Sequence, residues 1–190
     1  ATTAGAATVS FTAPLNNGGV ALTGFTITSS PGGFTCTAAA SATSCVISGL
    51  TNGTAYTFAV IATNEIGNSV ASSASSAVTP QTAASAPSAI TATAGDGQAS
   101  VAFSGAVANG STIASYTVQA YDSNGNAVSG ATCTSSTSPC TVTGLTNGSS
   151  YTFKVVANST VYGAGSTTAS TPSTASNAVI PATVPSAPTE

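Results

Sequence analysis

The sequence predicts an all-β chain folded as two tandem antiparallel β-sandwiches, and three observations predict it. The decapeptide GLTNGTAYTF at Gly49 to Phe58 returns as GLTNGSSYTF at Gly144 to Phe153, 95 positions later, so the chain repeats itself. Within each repeat, apolar residues recur at a period of two, which marks half-buried strands. Turn spellings separate the alternating runs (LNNGG, SPGG, LTNG, AGDG, SNGN), and no helical pattern occurs anywhere.

The elements follow in order. TVSF at Thr8 to Phe11 opens the first repeat and matches SVAF at Ser100 to Phe103. LTGFTI at Leu22 to Ile27 matches IASYTV at Ile113 to Val118, and TSCVISGL matches SPCTVTGL. The next strand places Tyr56, Phe58, Val60 and Ala62 on one face, as Tyr151, Phe153, Val155 and Ala157 are in the second copy. AVTP at Ala77 to Pro80 and AVIP at Ala178 to Pro181 close the two repeats, each about 95 residues long. The expected bounds are residues 1–80 for the first repeat, 81–86 for a linker, 87–181 for the second repeat, and 182–190 for a linker leading into a following strand. The Asn-Gly pairs are expected at positions needing positive φ, since Asn tolerates that region and Gly has no Cβ to clash.

Composition narrows the class further. Only 3% of the 190 residues carry charge, against roughly 25% in an average soluble domain. Glu65, Asp96, Asp122, Lys154 and Glu190 are the whole set. The longest apolar run is FAVIA, Phe58 to Ala62, far short of the roughly 20 residues of a spanning helix, so no membrane insertion is expected. No signal peptide is legible, and Ala1 reads as the start of a mature or excised piece. Hydrophobic residues at 42% with net charge −3 argue against disorder. One lysine and no arginine cannot neutralise a phosphate backbone, so nucleic acid is excluded as a partner.

Four cysteines form two local pairs, Cys36 with Cys45 and Cys133 with Cys140, one pair per repeat. Neither pair has zinc-site spacing and no histidine exists to complete a site, so two disulfides and no metal are expected. Disulfides imply an oxidising, extracytoplasmic compartment. Closing a loop of about ten residues contributes roughly 2.5–3 kcal/mol in the chain-entropy model.

These residues together resemble tandem fibronectin type III domains of the bacterial, disulfide-containing kind, an immunoglobulin-like sandwich. The resemblance rests on a leucine six positions before a tyrosine, Leu50/Tyr56 and Leu145/Tyr151, and on the strand YTFAVIATNEIG that follows. It implies a tyrosine corner in each repeat, with the hydroxyl bonded back to the preceding turn. Two departures stand out. Phe11 and Phe103 occupy the place of the family's tryptophan, and VVANSTVYGAG in the second repeat implies a longer last hairpin loop.

The termini are out of register. SAPSAITATAGDGQASVAF gives the second repeat a full first strand, whereas ATTAGAATVSF leaves the first repeat without most of its own. The tail VPSAPTE resembles ASAPSAI at Ala84 to Ile90, with Pro188 in the place of Pro87. Two readings stay open: an excerpt of a longer array, or a chain whose tail completes the first sandwich of a neighbour.

Chemistry has few materials. Without histidine a Ser-His-Asp or Cys-His arrangement cannot form, so no catalytic residue is expected. Asp122, Asn124 and Asn126 alternate like the opening of a calcium loop, but a hairpin turn already explains them. Lys154 is expected to face solvent. Sequons at Asn52, Asn109, Asn147 and Asn158 mostly coincide with Asn-Gly turns. Tyr162 is the best single candidate for contact with a sugar or a partner protein. The expected role is a structural, extracellular repeat module of a bacterial surface array, stalk, adhesin shaft or filament, requiring no cofactor. Its expected partners are neighbouring repeats of the same or identical chains, with a glycan or surface protein as a further option. The alternative is a spacer or binding module of a secreted multidomain hydrolase.

Overall fold

The computed structural model describes residues 2–161 and 167–187. Among these residues there are thirteen strands and no helix, and the chain divides into two compact units between Thr82 and Ala83. Residues 83 to 86, expected as linker, therefore lie in the second unit.

In the first unit, β1 (Thr2–Thr3), β2 (Ala6–Ser10) and β5 (Ser44–Ser48) form one sheet in the order β1-β2-β5. The facing sheet holds β3 (Leu22–Ser30), β4 (Thr35–Ala39) and β6 (Thr57–Asn64) in the order β4-β3-β6. All pairings are antiparallel, and the long β3–β6 ladder runs from Leu22 opposite Asn64 to Ser30 opposite Thr57. The second unit repeats this plan. Its first sheet contains β7 (Ser88–Ala94), β8 (Gln98–Ser104) and β11 (Cys140–Thr143). Its second contains β9 (Thr112–Tyr121), β10 (Ala127–Ser135), β12 (Thr152–Thr160) and β13 (Thr167–Ala169).

Period-two alternation puts one face of each strand into the sandwich. Phe25, Ile27, Ile47, Leu50, Tyr56 and Phe58 are buried in the first core; Val101, Val118, Val142, Leu145, Phe153 and Val155 are buried in the second. Where the family has tryptophan, Phe11 packs at a tilt against Phe25 and Phe103 against Tyr116, each with ring centroids 4.8 Å apart.

The repeats differ at their first strand. β1 contributes two residues, whereas β7 contributes seven and adds Ile90 and Ala92 to its core. Val155 on β12 is accordingly fully buried, while Val60 at the matching place on β6 is only partly covered.

Candidate functional site

Each repeat is closed by side chains that stand in for backbone. Tyr56 is buried, and its hydroxyl oxygen accepts the Thr51 N–H at 3.0 Å; Tyr151 accepts the Thr146 N–H at 3.1 Å. Leu50 and Leu145 lie buried beside them in their cores. The Thr146 N–H directed at the phenol oxygen holds the Tyr151 hydroxyl below the ordinary tyrosine range.

The Asn-Gly turn in this corner divides its labour differently from the sequence expectation. Gly53 and Gly148 take the positive φ, +83° in each, and neither Asn52 nor Asn147 does. The asparagine amides instead clasp the turn between the first two strands. Asn52 Oδ1 accepts the Gly5 N–H, and Asn147 Oδ1 accepts the Gly97 N–H, both at 2.8 Å. Asn147 Nδ2 also donates to Asp96 at 2.7 Å.

The disulfides Cys36–Cys45 and Cys133–Cys140 each join strands of opposite sheets, β4 to β5 and β10 to β11. Each bridge therefore pins the two layers together at one corner. Among the described residues no cysteine is free.

Sequence reasoning missed the device on the last edge. Ser69, Ser72 and Ser75 pair with Ala62, Val60 and Phe58 of β6. Each serine N–H donates to the strand carbonyl at 2.8–2.9 Å, and each Oγ accepts the strand N–H at 3.0–3.1 Å. Each Oγ then donates to the carbonyl of the residue after it. Ser170, Ser173 and Ser176 do the same along Ala157, Val155 and Phe153. Three residues of the edge segment thus match two of the strand, because a hydroxyl replaces the carbonyl that a regular strand would offer. The signal was a serine at every third position, S-x-x-S-x-x-S, which a search for period two passes over.

The second copy of this edge is covered and the first is not. The three serines of the second repeat are buried, and Asn177 in the same segment bonds Ala92 of β7 through both its amide groups, at 2.8 and 3.0 Å. The three serines of the first repeat are exposed.

A family model for the fibronectin type III domain matches residues 1–79 and again 85–176. The chain belongs to the fibronectin type III family. Among solved structures it is similar to the chicken CNTN1 FN1–FN3 domains, with TM-score 0.52 and 14% identity over 95% of this chain and 62% of that one. It is likewise similar to domains A168–A170 of titin, with TM-score 0.54 and 18% identity over 94% of this chain and 60% of that one. The chain thus spans about three fifths of each of these structures, and the likeness is one of fold. No curated protein matches it.

Fibronectin type III domains are generally non-catalytic modules serving as structural or spacer units, and several further polar residues here are engaged within their own repeat. Asp122 Oδ1 accepts the N–H groups of Asn126 and Asn124 at 2.8 and 2.9 Å, closing the hairpin turn. These donors, Asn126 foremost, hold its carboxyl below the ordinary aspartate range. Lys154 points away from the core, with its ammonium 4.8 Å from the centre of the Tyr121 ring. Asn109 Nδ2 donates to the Ala83 carbonyl, and Asn158 Nδ2 to the hydroxyls of Ser115 and Thr117. Tyr162 lies outside the described residues. Among the described residues no three metal-ligating side chains converge, and no helix is long and apolar enough to cross a membrane.

Proposed function

We propose that the chain is a structural length of an extracellular array: a stalk, adhesin shaft or filament of a bacterial surface, with repeats of the same kind as its neighbours. The observation that supports this best is the recurrence of the same internal clasps in both repeats. Tyrosine hydroxyl, turn asparagine, inter-sheet disulfide and serine-held edge recur at matching places, and each uses up a side chain that binding or catalysis would need free.

Other features fit the same reading. Disulfides suit an oxidising compartment outside the cytoplasm. A single lysine and no arginine leave trypsin-like proteases one target. Scarce charge leaves little for salt to screen, so stability should vary little with ionic strength. Assembly by head-to-tail strand donation would generate a filament, because such a contact does not close on itself.

Pulling single molecules tests the reading. Two separate force peaks per chain are expected. Reductant should lengthen each unfolding step by about 20 Å, as the spans of nine and seven residues inside the bridges are released. Extension without peaks would contradict a structural role.

A second reading, a binding module or spacer of a secreted hydrolase, is favoured by one observation. Leu15, Ile66 and Val70 are exposed in the first repeat, and exposed apolar groups can mark a contact surface. A blank glycan array and no retention on immobilised polysaccharide would leave the carbohydrate form of that reading unsupported.

A further inference from the structure

The first repeat carries an open groove of about 360 Å³ whose walls include Pro14, Asn17, Leu22, Ala62, Asn64 and Ile66. Leu15, fully exposed, sits in the loop that forms one wall. At the corresponding place in the second repeat, the loop after β8 and the end of β12 hold a segment of that repeat's own chain. Ala84 is buried, and its N–H donates to Ser159 Oγ at 3.0 Å. Ser85 donates its N–H to the Val107 carbonyl at 2.8 Å and accepts the Val107 N–H on Oγ at 2.9 Å. Asn109 Nδ2 secures the Ala83 carbonyl at 3.1 Å. A short Ala-Ala-Ser-Ala-Pro segment is thus sewn to the loop after β8 and to the end of β12.

From this internal precedent we infer that the groove of the first repeat receives residues 184–188, Val-Pro-Ser-Ala-Pro, of a second copy of the chain. The inference rests on the structural reading above and names its point of assembly. Two observations select this occupant. Ser186-Ala187-Pro188 reproduces Ser85-Ala86-Pro87, the portion whose serine pairs with the loop backbone. The residue before it differs where the two seats differ. Ser159 in the second repeat accepts an N–H from Ala84. Asn64 holds the matching place in the first repeat and is already committed: Oδ1 accepts the Ile66 and Gly67 N–H groups, and Nδ2 donates to the Asn17 carbonyl. A residue without an N–H suits that place, and the tail has Pro185. Pro185 also restricts the backbone of the segment before it binds, which lowers the ordering cost. Leu15 and Ile66 would be covered by the occupant.

Light scattering after size exclusion, across a range of concentrations, tests this on the full chain, together with a synthetic peptide spelling residues 183–190. The expected result is a mass that rises with concentration and returns to monomer on deleting residues 184–190. Leu15→Asp with Ile66→Asp, both exposed and so harmless to the fold, should also give monomer. The peptide should bind the truncated chain saturably, shift the amide signals of Asn17, Asn64 and Ile66, and bind at least about fivefold tighter than a peptide spelling residues 82–89. Assembly that survives the deletion, or shifts elsewhere on the molecule, would overturn the inference. So would a strict monomer whose groove signals depend on its own tail, and so would an absence of peptide binding at millimolar concentration. If binding fails while two force peaks persist on pulling, the structural reading stands and the donor seat alone falls.

Discussion

Asn177 holds Ala92 at two points: its Oδ1 accepts the Ala92 N–H at 2.8 Å, and its Nδ2 donates to the Ala92 carbonyl at 3.0 Å. One side-chain amide thereby does the work of a peptide group in a neighbouring strand, fastening β7 to the last edge of the second sandwich. The first repeat has Ser76 at the corresponding place in SSASSAV.

Replacing this amide should unfasten the strand. Asn177→Ala leaves the N–H and carbonyl of Ala92 unpaired at a position that is 8% exposed, at a cost of about 1–3 kcal/mol. Calorimetry should show the melting transition of the second repeat falling by several degrees, with the first unmoved. A shift shared equally by both repeats would speak against the assignment.

The serine edges should respond unequally. Ser173→Ala leaves the Val155 N–H without a partner in a buried place, costing about 1–3 kcal/mol. Ser72→Ala removes the same bond from the exposed edge, where water replaces it, so its cost should stay below about 1 kcal/mol. Equal losses in denaturant titrations of the two variants would count against the difference in cover.

The tyrosine corners should act locally. Tyr56→Phe should lower only the first transition and Tyr151→Phe only the second, each by about 1 kcal/mol for one hydrogen bond lost. Thermal melts in which either variant matches the parent chain would show that the corner contributes nothing beyond its ring.

Acid should weaken the second repeat through Asp122. Its carboxyl is held below the usual aspartate value chiefly by the Asn126 N–H, so ionisation favours the folded state. That contribution is complete above the unfolded-state value near 4 and disappears as pH falls through the lower folded value. Asp122→Asn keeps an oxygen for the same donors and should flatten the acid limb of the stability profile. An acid limb identical in parent and variant would place the cause elsewhere.

The sandwich was legible because strand burial has a period of two: Tyr56, Phe58 and Ala62 announced their shared face from spacing alone. Cysteine spacing likewise indicated the bridges, although only the fold reveals that each spans two sheets. The serine edges were illegible for a physical reason. When Oγ accepts the N–H that a carbonyl would normally take, the segment advances at three residues per two, and the spacing of Ser69, Ser72 and Ser75 falls outside the period of two that marks a strand. Asn52 and Asn147 were visible, but as turn formers; their clasp on Gly5 and Gly97 joins residues about fifty positions apart and leaves no local mark. The groove was hidden for the same reason, since its walls come from two loops and a strand end that meet only in the fold.

Native-state hydrogen exchange at the six amides held by serine oxygens tests the central claim most directly, that hydroxyls close the last edge of each repeat and that only the second edge is covered. The account predicts that Phe153, Val155 and Ala157 exchange only with unfolding of the whole second repeat. It predicts that Phe58, Val60 and Ala62 are protected but exchange at least about tenfold faster. Exchange of all six at the rate of open loop amides, or equal protection in the two repeats, would contradict it.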